Sequence, residues 1–365
     1  MSPRFSGPGY SKKKIMRRCA VLLAIVVGLA QGCDQGNRGQ ELPGSSGDSR
    51  SAVKSKQILW YSPTVHPFPQ EVKKGVEAFE KDSGVVVEKS FGQEFSQDNE
   101  NANVEAFAAK GFDGFVIQPC DVSAANSLYE ELADSGKVVV GYGSSTIEPT
   151  AALFCIATDV KLAAMEATEA LIRFMGGRGN IVNVLEMVED PSTILREQGV
   201  VEVVARYPDV NIVQKIAGMD SIETSTAKIE DVLATKIEQI DGIITTGYTP
   251  TVAAATILSE WHAKEGNKRI RFVGMDTDAV VLKAIRGGHV DATLAQNPMA
   301  MGYVGCSLVS HLLDGWTANG GYQKINSGTV LITKDNVDTF EKEVEAITEK
   351  IKTQIETKYL TPPKT

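Results

Sequence analysis

The sequence predicts an α/β protein made of two doubly wound, Rossmann-like parallel-sheet domains. Three observations carry that expectation. From residue 57 onward, apolar runs of strand length alternate with amphipathic runs of helix length. The strand runs are near-continuously apolar, as strands covered on both faces are. The alternation then restarts after residue 159 with a second unit of similar size, and 365 residues are too many for one ordinary core.

The elements follow in order. "QILWYSP" (57–63) is a strand, and "EVKKGVEAFEKDSG" (71–84) places Val72, Val76 and Phe79 on one helical face before Gly84 ends it. "VVVEKSF" (85–91) is a strand and "NENANVEAFAAKG" (99–111) a helix. "DGFVIQP" (113–119), "VSAANSLYEELADSG" (122–136) and "KVVVGYG" (137–143) continue strand, helix, strand, and "AALFCIATD" (151–159) adds a fifth strand. The second unit opens with a helix at 160–177. Strands follow at 180–187, 210–218, 241–247, 270–276 and 290–298, separated by helices at 193–208, 225–236, 250–264 and 279–288. A helix at 299–315 reads as a return to the first domain. A strand at 328–337 is a last crossing, and 339–360 is a charged terminal helix on the surface.

The N-terminus has its own grammar. Lys12, Lys13, Lys14, Arg17 and Arg18 precede an apolar run, Cys19 to Ala30, that ends in "AQGC". A basic segment, a short apolar core and small residues before a cleavage point describe an export signal. The run is too short for a membrane span, which needs ~20 apolar residues. "AQGC" also resembles a bacterial lipobox, which would make Cys33 a lipidated first residue. Residues 1–33 are therefore read as signal and lipobox, and the Gly/Ser/Asp-rich 34–55 as a flexible tether. Removing residues 1–32 takes away six basic and no acidic side chains, moving the net charge from −9 to −15. A chain so acidic has no footprint for nucleic acid. Cys120, Cys155 and Cys306 remain as small hydrophobes. Cys120 follows a strand and Cys155 begins one, so they fall at opposite ends of a parallel sheet, too far apart for a bridge.

One stretch raises the question of function. "RFVGMDTDAV" (271–280) sets Asp276 and Asp278 at the tip of a buried strand in a chain with four histidines and no metal motif. Asp278 precedes helix-like residues and reads as an N-cap. Asp276 follows its strand at once, and in open α/β sheets ligands lie beyond the carboxyl ends of the strands. A carboxylate there accepts two hydrogen bonds from adjacent hydroxyls and needs neither metal nor histidine.

The order of elements, with "GFDGFVIQPCD", "RYPDVNIV", "FVGMDTD", "LKAIRGGHVDATLAQNP" and "VLITKDN", resembles the ribose/galactose-type periplasmic binding proteins, which share their fold with the effector domains of lac-repressor-type regulators. The resemblance covers residues 56–337; no helix-turn-helix precedes it and an export signal does. It implies two lobes joined by a multi-strand hinge with a ligand cleft between them. Residues 56–158 with 299–327 would form one lobe, 159–298 with 328–337 the other, and 338–365 a C-terminal helix. It also implies a site. Phe68 in "HPFPQ" matches an aromatic that covers a sugar ring, and His66 stands where a polar side chain is common. Arg196 in "TILREQG" matches an arginine that bridges hydroxyls, Asp276 the acid of the family's strand-end turn, and Gln296 in "LAQNP" a hinge-side amide. Two polar grips depart from the pattern. Tyr142-Gly143-Ser144 replaces an Asp-Arg pair and Gly247-Tyr248 an Asn-Asp pair, so Tyr142 and Tyr248 offer stacking surface for a ligand bulkier or less hydroxylated than ribose.

Competing motifs fail on position. "GGRGN" (176–180) runs helix to strand, the reverse of a phosphate loop. His262 and Glu265 stand one helical turn apart without a second histidine, which describes a solvated helix face rather than a zinc site. Ser192 and Thr193 lack the context of a hydrolase nucleophile. The expectation is a non-enzymatic, cofactor-free, monomeric solute-binding protein of the periplasm or cell surface, anchored through Cys33. It would deliver a sugar-like ligand to an ABC-type permease of the inner membrane. Presentation to a membrane sensor, or sugar processing by an enzyme, are the alternatives.

Overall fold

The computed structural model describes residues 55–188 and 190–364; the export segment, Cys33 and all but the last residue of the tether lie outside the described residues. The first sheet takes β1 (Ile58–Ser62), β2 (Val87–Phe91), β3 (Gly114–Ile117), β4 (Val138–Tyr142) and β5 (Phe154–Ala157), linked by α1 (Pro67–Ser83), α2 (Gln97–Ala109) and α3 (Ala125–Asp134). The second unit runs α4 (Val160–Phe174), β6 (Gly179–Val184), α5 (Pro191–Val204), β7 (Val210–Ile216), α6 (Ile222–Lys236), β8 (Gly242–Thr245), α7 (Tyr248–His262), β9 (Arg271–Met275), α8 (Ala279–Arg286) and β10 (Ala292–Gln296). The chain closes with α9 (Pro298–Leu313), β11 (Thr317–Ala318), β12 (Gln323–Asn326), β13 (Thr329–Thr333), α10 (Phe340–Gln354) and β14 (Leu360–Thr361).

The internal duplication is visible in the topology. One sheet has the order β2-β1-β3-β4-β5-β12 and the other β7-β6-β8-β9-β10-β13, the same arrangement twice. Within these two sheets all ladders are parallel except β13 against β10; the short pair β11–β14 is also antiparallel. Both faces of each sheet are covered. In the first, Trp60, Val116 and Ile156 pack under α1 and α9, while Leu59, Phe115 and Ile117 pack under α2 and α3. In the second, Ile181, Ile244 and Val273 face α4 and α5, and Val182, Ile243 and Phe272 face α6, α7 and α8.

Three crossings join the two sheets: β5 to α4, β10 to α9 and β12 to β13. The first and third are tied side by side. The hydroxyls of Thr158 and Ser327 lie 3.3 Å apart, and Asp159 N–H donates to Asn326 at 3.2 Å. Gly328, at φ 85, passes beneath Ile347 so closely that a Cβ would meet its Cγ2 at 2.7 Å.

Several expectations are corrected. A strand at 323–326 is absent from the sequence reading because "QKIN" buries only Ile325 and shows no apolar period. The second helix starts two residues early, at Gln97, because Ser96 accepts a hydrogen bond from Asn99 N–H. The terminal helix lies on the surface as expected, and its packed face spans both lobes. Phe340 and Val344 pack on the second sheet's core, Ile351 and Ile355 on the first, and Ile347 on both. It ends in a wide turn at Ile355–Tyr359, which leads into β14 against β11. His262 is half-buried rather than solvated. Its Nε2 accepts from Ile270 N–H at 3.1 Å and its Nδ1 lies 2.8 Å from the His289 carbonyl oxygen, so it pins the end of α7 to the start of β9. Burial, with the Arg269 guanidinium beside it, pushes its pKa down and keeps it neutral. Cys120, Cys155 and Cys306 are free thiols. Among the described residues no helix is long and apolar enough to cross a membrane.

Candidate functional site

The carboxyl ends of both sheets open onto one cavity of about 660 Å³, within the ~300–1,000 Å³ usual for small-molecule sites. One wall comes from the first sheet: His66 and Phe68 at the start of α1, Gln118 after β3, and Gly143 and Ser144 after β4. The facing wall comes from the second: Glu186 after β6, Arg196 on α5, Tyr248 at the start of α7, Asp276 after β9 and Gln296 at the end of β10.

Asp276 is the best-determined position. It is the one non-glycine residue with positive φ, 70°, among the described residues. Such a conformation costs of order 1–3 kcal/mol and persists only where neighbours impose it. Here the Asp276 N–H donates to the Leu294 carbonyl at 2.9 Å and the Thr293 hydroxyl donates to the Asp276 carbonyl at 2.8 Å. The Gln296 amide donates to Oδ1 at 2.5 Å. The backbone twist turns the carboxylate from the strand line into the cavity. Burial raises its pKa, and the Arg196 charge and the Gln296 hydrogen bond oppose that rise.

Arg196 lies deep in the wall at 9% exposure, on the second turn of a helix capped by Asp190. Among the described residues its ion-pair partner is Glu186, 3.7 Å away and too long for a direct hydrogen bond, and its Nε has no partner. A guanidinium with five donors, held buried with its donors unspent, is arranged for something that enters the cavity.

Glu186 is a cavity-lining acid that the sequence reading missed. Its Oε1 accepts from Thr249 N–H at 3.2 Å, supplying at the start of α7 the side-chain cap that Gly247 cannot. Gly247 leaves the room for it, since a Cβ there would stand 2.0 Å from the Glu186 Cδ. The small residue at 247 is thus the seat of a carboxylate from another strand. Burial pushes the Glu186 pKa up, Arg196 pulls it down, and the Asp276 charge pushes it up again. The signal was available: Glu186 follows β6 almost as closely as Asp276 follows β9, and the rule applied to one acid applies to both.

Of the seven ligand contacts expected from the sequence, His66, Phe68, Arg196, Tyr248, Asp276 and Gln296 line the cavity together. His66 also caps α1, accepting from Phe68 N–H at 3.4 Å, and its ring meets Tyr248 edge-on across the cleft at 6.1 Å. Tyr248 donates to Asp278 at 2.9 Å, and Asp278 caps α8 through Val280 N–H at 2.8 Å. Tyr142 is the correction. It is fully buried and stacks on Trp60 with ring centroids 5.6 Å apart, in the core beneath α1 and α9. As the last residue of its strand it points into the layer rather than out of the sheet's end, so it offers the ligand no surface.

The buried acids predict a pH dependence of the ligand-free protein. Both folded-state pKa values are raised, so the unfolded chain sheds these protons first as pH rises. Stability is therefore lost as pH rises toward the folded values and is fully lost above them. Glu186→Gln and Asp276→Asn are expected to melt higher than wild type at neutral pH. The gain should vanish below the ordinary carboxylate range; a gain independent of pH would refute the charge origin.

The chain matches known proteins in family and in fold. Residues 59–317 match the family model described as periplasmic binding protein domain. A xylitol-binding protein of Mycolicibacterium smegmatis is 23% identical over 298 residues, covering 80% of this chain and 81% of its own. An ABC transporter solute-binding protein of Burkholderia graminis, solved with D-arabinose, superposes with a TM-score of 0.69 at 20% identity, covering 78% of this chain and 98% of its own. One from Bacillus halodurans with bound myo-inositol gives 0.68 at 16% identity, covering 79% and 98%.

Proposed function

This chain belongs to the periplasmic binding protein family, and on that premise we propose that it is an exported solute-binding protein that captures a small carbohydrate-like ligand between its lobes for an ABC-type permease. One observation carries the reading. Asp276, Arg196 and Gln296, from three different elements, line one cavity opposite the Phe68 ring, and the buried Arg196 Nε has no partner among the described residues. Vicinal hydroxyls match planar carboxylate, guanidinium and amide groups, and a ring covers the C–H face of a sugar. The relatives' pentose, pentitol and inositol ligands are of that class.

The test is a thermal-shift and calorimetric panel of monosaccharides and polyols with the purified protein. A ligand that binds only the folded state raises its stability by RT ln(1 + [L]/Kd), about 2.7 kcal/mol at a hundredfold excess over Kd. The ligand should be recovered chemically unchanged, with the protein monomeric in both states. Conversion of a bound sugar, or no shift with any polyhydroxylated compound, would overturn the reading.

The lipid anchor through Cys33 belongs to the same proposal. It rests on "AQGC" after the basic and apolar segments, followed by a tether that would let the body work beside a permease. Cys33→Ser is expected to move the protein from the membrane fraction to the soluble one. If the wild type already fractionates as soluble, the anchor is refuted and export stands.

A further inference from the structure

The cavity is lined by more negative charge than its own cations balance. Glu71, Glu186, Asp190, Asp220, Asp276 and Asp278 border it, against one guanidinium, Arg196, and one imidazole, His66. Most of these acids are occupied or peripheral. Glu71 pairs with Lys74 at 2.7 Å, Asp190 and Asp278 cap α5 and α8, and Asp220 is exposed. Glu186, although it caps α7, and Asp276 differ, because both line the inner wall and have Arg196 as their nearby cation, 3.7 Å from Glu186. One guanidinium offsets one of them. Among the described residues, no group of three acidic, histidine or cysteine side chains is placed to hold a metal ion.

Replacing water by a neutral sugar would satisfy the hydrogen bonds and leave one carboxylate charge buried without a counter-ion, which is expensive. A ligand cation removes the surplus. After β4 the wall offers the uncharged Gly143 and Ser144, while Glu186 sets an acid over Gly247. Arg196, nine-tenths buried with an unpartnered Nε, marks the same wall as a place where a ligand's oxygens are received.

We infer that the cavity selects a polyhydroxylated ligand carrying one ammonium group, an amino sugar or amino polyol, with Glu186 as the residue that reads the charge. The inference rests on the proposed carbohydrate-binding reading and narrows it. Hydroxyls take Asp276, Arg196 and Gln296, as in a neutral sugar, and the ammonium donates to Glu186. Burial raises both carboxyl pKa values, and at Glu186 the Asp276 charge adds to the rise that Arg196 opposes.

The experiment compares isosteric pairs, D-glucosamine with D-glucose, D-galactosamine with D-galactose and D-mannosamine with D-mannose, alongside the neutral polyol panel. It is run about one pH unit below the ~7.7 of a comparable amine, so that the ammonium is charged. In at least one pair the amine should bind roughly tenfold or more tightly than its hydroxyl parent, the gain expected of a charge-assisted hydrogen bond. In Glu186→Gln, with its fold checked by melting, that ratio should fall toward one. Calorimetry in buffers of different ionisation enthalpy gives a second readout on the wild type: neutral ligands should draw a proton into the site and amines should not. Parents binding as tightly as their amines, or an amine preference that survives in folded Glu186→Gln, would overturn the inference. If neutral sugars bind and no amine does, the inference fails and the carbohydrate reading stands. If no compound of either charge binds, both fail.

Discussion

Removing the carboxylate of Asp276 or the guanidinium of Arg196 is expected to weaken ligand binding ten- to a hundredfold. The figure follows from hydrogen bonds to charged groups, each contributing about 1.5–3 kcal/mol. Alanine is the wrong probe at 276, because φ is 70° there and alanine would add backbone strain to the lost contact. Asp276→Asn keeps a residue that tolerates this region and removes only the charge. At 196, methionine retains the buried stem while deleting the donors. Asp276 lies just past the end of β9 and Arg196 on α5 where it borders the cavity, neither in the apolar layers between sheet and helices, so the variants should keep their fold while losing affinity. Phe68→Ala should lose less, since the ring contributes coverage without a charged bond. The measurement is titration calorimetry with the ligand found in the panel. Wild-type affinity in both Asp276→Asn and Arg196→Met would mean that the cavity is not where the ligand binds.

The second large effect concerns two glycines where α1 crosses α9. A Cβ at Gly75 would stand 2.0 Å from the Met299 carbonyl oxygen, and one at Gly302 would stand 2.1 Å from that of Val72. Backbone cannot yield as a side-chain tip can, so any larger residue must push the helices apart. Helix propensity alone predicts the opposite sign, since Gly→Ala within a helix gains about 0.8–1.0 kcal/mol. Overpacking typically costs about 1–3 kcal/mol and occasionally more. Gly302→Ala is therefore expected to destabilise despite its better propensity, and Gly302→Val to cost roughly 3 kcal/mol or more. The readout is the melting temperature, with a fall of about 2–4 °C per kcal/mol for a domain of this size. Because α1 begins at His66 and Phe68, a displaced helix should also weaken binding. Unchanged or raised stability in Gly302→Ala would show that the helices separate freely there.

What the sequence determined by itself is the layer architecture and the place of one cavity acid. Apolar runs of strand length between amphipathic helices admit few arrangements other than a covered parallel sheet, and the restart at residue 160 makes two of them. An acid directly after a strand must stand at the sheet's carboxyl end, so Asp276 was legible without coordinates. Tertiary structure decided what the period could not express. Both faces of a doubly wound sheet are buried, so alternation cannot say whether the last residue of a strand turns outward or inward. Tyr142 therefore passed for a cleft residue until Trp60 was found stacked on it. Strand β12 stayed hidden because an edge strand needs only backbone bonds to Phe154–Ala157 and carries no apolar run of its own. Glu186 and Gly247 stand 61 positions apart, and the glycine's meaning lies in the carboxylate that fills its missing side chain. The reach of a side chain across two strand ends depends on sheet order, and sheet order is set by long-range packing rather than by any local run of residues.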